Sequence, residues 1–181
     1  KDGARLEYRT TVGTNDGHGW LYAGARTADQ LLETFEGYQR SDFSQWWFGV
    51  IGADLTGYAT KVGTVVGELA TDYSEEGNQV LFNTVTDLAK IGVNPLVLAR
   101  NAAREQGREF HVFIRPQGWA ASMPWEEVFN SKFYNAHPEW RTVDREGRQA
   151  MYMSYAVREV RQHTLDVFRE AIEMTDTDGV G

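Results

Sequence analysis

The sequence predicts an α/β fold with a parallel sheet, a (β/α) barrel of the TIM type of which about the first four β/α units are present. Three observations lead there. Extended apolar runs alternate with helical patterns of about 12 residues or more, as βαβ units do. Connections from a helix into the next strand are short, at Gly107-Arg108 and Asp176-Thr177. Connections from a strand into the next helix are long, about residues 52–78 and 115–155, and loops of that length in a compact domain are usually functional or disordered. In a β/α barrel the site is built from the loops at the carboxyl ends of the strands, so the asymmetry also says where to look.

Each element has its own signal. "ARLEYRTTV" (residues 4–12) reads as the first strand, and "TADQLLETFEGY" as a short helix with Thr27 as its cap. "QWWFGVIG" is the second strand; its adjacent Trp46 and Trp47 point to opposite faces, so at most one faces a barrel interior, and both are expected in the core. "NQVLFNTVTDLAKIG" sets Leu81, Val85 and Leu88 on one helical face and stops at Gly92. "NPLVLARNAAREQG" has Asn94 as N-cap, Pro95 at the first helical position and Gly107 as the stop. "REFHVFI" is the third strand, and "TVDREGR" is a turn between two extended runs, with Asp144 and Gly147 as turn residues. The last helix, about residues 156–175, carries Val157, Val160, Thr164, Val167, Phe168 and Ala171 on one stripe. "DGVG" then opens a fourth strand. With no repeat, low-complexity tract or linker, residues 1–181 read as one partial (β/α)8-barrel domain, truncated at the start of strand four.

Composition narrows the function classes. At 41% hydrophobic and 24% charged residues, the chain reads as an ordinary globular protein. A net charge of −8 argues against nucleic acid or an anionic membrane as the main partner. No apolar run approaches the roughly 20 residues a membrane helix needs. The absence of cysteine excludes disulfides, thiolate zinc sites and cysteine nucleophiles. No metal site or cofactor is expected: "DGHGW" holds one histidine, not a His-x-His pair, and His111 and His137 have no partner nearby in sequence. Six tryptophans mean either large core residues or an aromatic-lined cleft of the kind sugars use.

The segments "NPLVLARNAAREQGREFHVFIRP", "FYNAHPEWRTVDREGR", "SYAVREVRQHTLDVFREAI" and "DTDGVG" together resemble the glycoside-hydrolase-like proteins with a family-10-like (β/α)8 barrel. The resemblance covers about residues 78–181. In the first half, "TNDGHGW" and the Trp46–Asp54 strand end look like that family's first two strand ends. It implies a barrel directed at sugar polymers, with a carbohydrate substrate lying across the carboxyl ends of the strands. It also implies that this chain is the N-terminal half, with the catalytic carboxylates beyond residue 181 and self-association possible through open barrel edges.

Glycoside hydrolysis needs two carboxyl groups about 5 Å apart for retention or about 6.5–9.5 Å for inversion. No such pair can be named in this sequence. Substrate-binding candidates are instead read from the strand ends. Arg115, just past the third strand, offers a rigid fork of donors to sugar hydroxyls or a carboxylate, or else a salt bridge to a loop acid. Gln117 and Trp119 follow it, as a hydroxyl partner and a stacking face or as packing for the long loop. Asp16 and Asp54, near the first two strand ends, serve either sugar hydroxyls or the Gly-rich turns "NDG" and "GAD". Tyr155 matches the resembled family's "YA" and is a further cleft candidate, whereas Asp178, at the opposite end of its strand, is expected to be structural. Three functions remain: half of a glycoside hydrolase acting on a polysaccharide or glycoconjugate, a non-catalytic carbohydrate-binding barrel, and a metal-dependent amidohydrolase barrel, the last disfavoured by the histidine pattern.

Overall fold

A computed structural model describes residues 10–122 and 125–181. The chain runs through β1 (Val12–Asn15), α1 (His18–Tyr22), α2 (Ala28–Glu33), α3 (Glu36–Gln39) and β2 (Gln45–Gly49). A short parallel pair, β3 (Leu55–Thr56) and β4 (Thr64–Val65), precedes the helices α4 (Glu76–Lys90) and α5 (Pro95–Glu105) and the strand β5 (Glu109–Phe113). Beyond β5 come α6 (Lys132–Ala136) and the antiparallel hairpin β6 (Arg141–Val143) and β7 (Gln149–Met153). The helix α7 (Arg158–Thr175) and the strand β8 (Gly179–Val180) close the chain.

The main sheet has four parallel strands in the order β1-β2-β5-β8, each next to the one that precedes it in the sheet's own sequence. Thr14, Trp47, His111 and Gly179 lie in register across it. One face is buried: Trp46, Phe48, Phe110 and Val112 belong to the main core with Phe35, Leu88, Ala99 and Ala103 from the helices. The other face is only part-covered, and there Trp47 stacks on His111 with ring centroids 5.4 Å apart. A doubly wound sheet would bury both faces under helices; this one is wound on a single side, as a barrel wall is. Of the two adjacent tryptophans, therefore, Trp46 is core and Trp47 is not, because strand alternation turns it to the open face.

The helices follow their sequence signals. The Asn94 side-chain oxygen accepts from the backbone N–H groups of Leu96 and Val97, at 3.0 and 3.3 Å, and Pro95 opens α5. Small residues on α5, Ala99, Ala102 and Ala103, let it lie close over β2 and β5. The buried stripe of α4 contains Leu81, Val85 and Leu88, and that of α7 contains Val160, Thr164, Val167 and Ala171. Asp176 ends α7 in the left-handed region (φ 48°), with its N–H bonded to the Ile172 carbonyl at 2.8 Å. Asp178 accepts from the Phe110 backbone N–H at 2.8 Å, which ties β8 to β5.

Two expectations shift. Residues 4–9 of the expected first strand lie outside the described residues, and the observed strand is Val12–Asn15. The helix expected over 27–38 divides in two, because the Thr34 hydroxyl and N–H both turn back to the Leu31 carbonyl and end the first turn run there. Thr27 caps α2 as expected, accepting from the Gln30 N–H at 3.2 Å. The "TVDREGR" turn also forms as read: Asp144 accepts from the N–H groups of Glu146 and Arg148, and Gly147 takes φ 81° between β6 and β7.

Candidate functional site at the carboxyl edge of the sheet

The strands β1 and β5 flank β2, and their carboxyl ends deliver Asp16 and Arg115 to the same edge. An Arg115 guanidinium N–H donates to Asp16 Oδ2 at 2.6 Å, so residues 99 apart in sequence meet across the end of β2. The turn that aims Asp16 is local. Asn15 accepts from the Gly17 N–H at 2.9 Å, Asp16 Oδ1 accepts from the His18 N–H at 3.2 Å, and the His18 ring lies 3.5 Å from the same oxygen. Gly17 sits at φ 89°, where a side chain would be strained and would also meet Ile51.

Partial burial by itself would raise the Asp16 pKa, but the His18 N–H, the His18 ring and the Arg115 charge together outweigh it and hold the carboxyl below its ordinary range. Asp16 is thus ionised at neutral pH. It fits a hydrogen-bond acceptor, a base or a nucleophile, and not a general acid.

Beside the pair opens a cavity of about 330 Å³. His18, Arg115 and Tyr22 bring polar groups to its lining, and Ile51, Leu55, Trp125 and Phe129 form apolar walls. Ile51 has φ 107°, a conformation that costs a β-branched residue about 1–3 kcal/mol. A tight turn holds it there: the Gly52 N–H donates to Leu55 O at 3.0 Å, and Ile51 bridges Thr56. Gly52 also lies against Gly118, so close that a Cβ on it would stand 2.2 Å from the Gly118 carbonyl oxygen. The Ala53 N–H donates to that oxygen at 3.1 Å, which locks the loop after β2 to the loop after β5.

The remaining candidates lie elsewhere. Gln117 is exposed beyond Arg115, with its carbonyl accepting from the Trp119 N–H at 3.1 Å. Trp119 is fully buried in a second apolar cluster with Ala53, Tyr134, Met153 and Val160, leaving no ring face at the surface. The Tyr155 hydroxyl donates to the Pro116 carbonyl and lies 3.2 Å from the Thr164 hydroxyl, so it ties the start of the long loop to α7. Burial, reinforced by the nearby Asp54 charge, raises its pKa. Asp54 is buried too: Oδ2 accepts from the Ser131 hydroxyl at 2.8 Å and lies 3.1 Å from His163 Nε2, while Oδ1 has no hydrogen-bond partner among the described residues. The His163 ring stacks on Phe133, 4.0 Å between centroids. The structure therefore joins Asp16 with Arg115 at the cleft, and gathers Asp54, Trp119 and Tyr155 under the loop that follows β5.

Sequence reasoning had not picked out His18, Ile51, Trp125 or Phe129. His18 carried a usable signal, standing two residues past Asp16 in the same turn. The others reach the cavity only through tertiary packing.

No family model matches the chain, and no curated relative matches it. Among solved structures it is similar to a noncanonic maltogenic alpha-amylase, AmyB, from Thermotoga neapolitana, with a TM-score of 0.51 and 14% identity over 94% of this chain. The chain spans 38% of the length of that amylase. At this identity the likeness shows the fold alone and does not extend to a family-10-like assignment. Four parallel strands wound on one side, and this likeness, establish an α/β fold with a parallel sheet like that of a barrel enzyme, seen as a partial barrel and not as a closed one.

Proposed function

We propose that this chain forms the first four β/α units of a glycoside-hydrolase-like barrel, related to the family-10-like proteins, that binds a polysaccharide or glycoconjugate across the carboxyl edge of its sheet. The observation that carries the reading is the Asp16–Arg115 pair, which sets an ionised acceptor and a multi-donor cation side by side where a barrel places its substrate. Vicinal sugar hydroxyls both donate and accept, and such a pair satisfies both roles at fixed spacing. In a hydrolase of this form the general acid comes from another strand end, since Asp16 is held ionised and Asp54 is enclosed by Ser131 and His163.

The non-catalytic alternative is favoured by one observation: among the described residues the carboxylate in contact with Arg115 at this edge is Asp16, an acceptor rather than an acid. Both readings share the binding step. Titrating the chain with a panel of oligosaccharides tests it, with Arg115→Ala in parallel. Binding by the parent chain that weakens about tenfold or more in the variant is expected, since hydrogen bonds to charged groups are worth about 1.5–3 kcal/mol. Equal binding by both would remove Arg115 from the site, and turnover of chromogenic glycosides would separate enzyme from binder.

A further inference from the structure

The cavity beside the Asp16–Arg115 pair is the wrong chemistry for a sugar ring alone. Its walls are Ile51, Leu55, Trp125 and Phe129; the charged or titratable side chains at its rim are His18 and Arg115, and the Tyr22 hydroxyl beside them is turned to Asn78 at 3.5 Å. A pyranose carries hydroxyls around its rim, and burying them against these apolar walls would leave most of them without partners. An alkyl or aryl group loses nothing there. We infer that this cavity is a subsite for an apolar group, an alkyl or aryl aglycone, joined to a polar moiety that stays at Arg115 and Asp16.

Three features support the inference independently. The first is size: about 330 Å³ is within the range of small-molecule pockets, and a dry aliphatic cavity of about 150 Å³ suffices for benzene. The second is Trp125, a large apolar side chain left 52% exposed at the wall, where an apolar ligand would cover it. The third is Ile51. A β-branched residue at φ 107°, pinned by the 52–55 turn, sets an aliphatic side chain in the cavity wall, and strained backbone of this kind collects at ligand sites. Arg115 and His18 then mark the side from which the polar part of the ligand is held.

The inference rests on the carbohydrate reading for the polar half of the ligand, and the test separates the two. The 181-residue chain is titrated by calorimetry with n-alkyl glycosides from methyl to hexyl, below micelle formation, and with 2-naphthol as a sugar-free probe. Affinity is expected to rise about fourfold per added methylene before levelling off. Ala121→Phe, which fills the cavity, abolishes that rise while leaving methyl glycoside binding intact; Trp125→Ala, at an exposed position, flattens it and serves if the first variant does not fold. Affinity independent of alkyl length with no naphthol binding would overturn the subsite and leave the carbohydrate reading standing. Naphthol binding that both variants leave unchanged also overturns it, because the probe is then elsewhere. Naphthol binding lost in the variants, with no glycoside bound at all, retains the subsite and removes the carbohydrate reading.

Discussion

At the scale of single residues the cleft depends on Arg115, whose side chain is 45% exposed and whose partner Asp16 is 50% exposed. Exposed pairs of this kind are worth about 0–1 kcal/mol, so Arg115→Ala is expected to change the thermal midpoint by no more than a few degrees while weakening oligosaccharide binding. A large fall in the midpoint with unaltered binding would make Arg115 a structural bridge. The linkage of Asp16 has a definite sign. Its pKa is lowered on folding, so its small stabilising contribution is present above the ordinary carboxylate value of 3.8 and is lost as pH falls through the lower folded value. Carboxyl NMR titration is expected to place the Asp16 midpoint below 3.8, and the midpoint rises toward that value in Arg115→Ala. A midpoint at or above 3.8 in the parent chain would show that burial outweighs the His18 and Arg115 contributions.

At the scale of elements, what could be read from sequence was whatever is settled locally. The helix α5 was legible because Asn94, Pro95 and the residues after Glu105 specify its ends by short-range bonding, and α4 and α7 because their apolar stripes repeat at helical period. Asp16 and Arg115 were legible as candidates since parallel strands share a carboxyl edge. The partners of Asp54 were not, because Ser131 and His163 lie 77 and 109 residues away in sequence and no local pattern announces them. Trp119, just past a strand end, gave the same signal whether it faced a sugar or, as the structure has it, Phe133 and His163. These contacts fasten the loop after β5 to α7, which yields an element-scale prediction. Asp54→Ala removes the acceptor of the buried Ser131 hydroxyl, whose oxygen keeps only the Tyr134 N–H, and the partner of the part-buried His163 Nε2, and should cost about 1–3 kcal/mol. Urea denaturation measures it, and a change within about 0.5 kcal/mol would mean that water or a shifted rotamer replaces the carboxylate.

For the whole molecule, the consequence of a sheet wound on one side is an open face and two edges. Among the described residues β1 pairs only with β2, and β8 only with β5. The face carrying Trp47 and His111 is part-covered, and Val12 and Val180 are 40% and 53% exposed. Unpaired parallel edges beside apolar side chains favour association. The 181-residue chain is expected to show a concentration-dependent mass by light scattering and no turnover of glycosides, since Asp16 alone cannot act as both acid and nucleophile. A strictly monomeric chain across the micromolar range would contradict the edge argument, and turnover abolished by Asp16→Asn would place the chemistry within these four strands.

The most direct test of the central claim, that ligand binds at the carboxyl edge between β1 and β5, is backbone amide chemical-shift mapping with the tightest-binding oligosaccharide. The expected result is that the largest changes cluster at residues 16–18 and 115–118, with smaller ones at the cavity residues Ile51 and Phe129. Changes confined to the loop around the β6–β7 hairpin, or to Thr14, Trp47 and His111 on the open face, would contradict it.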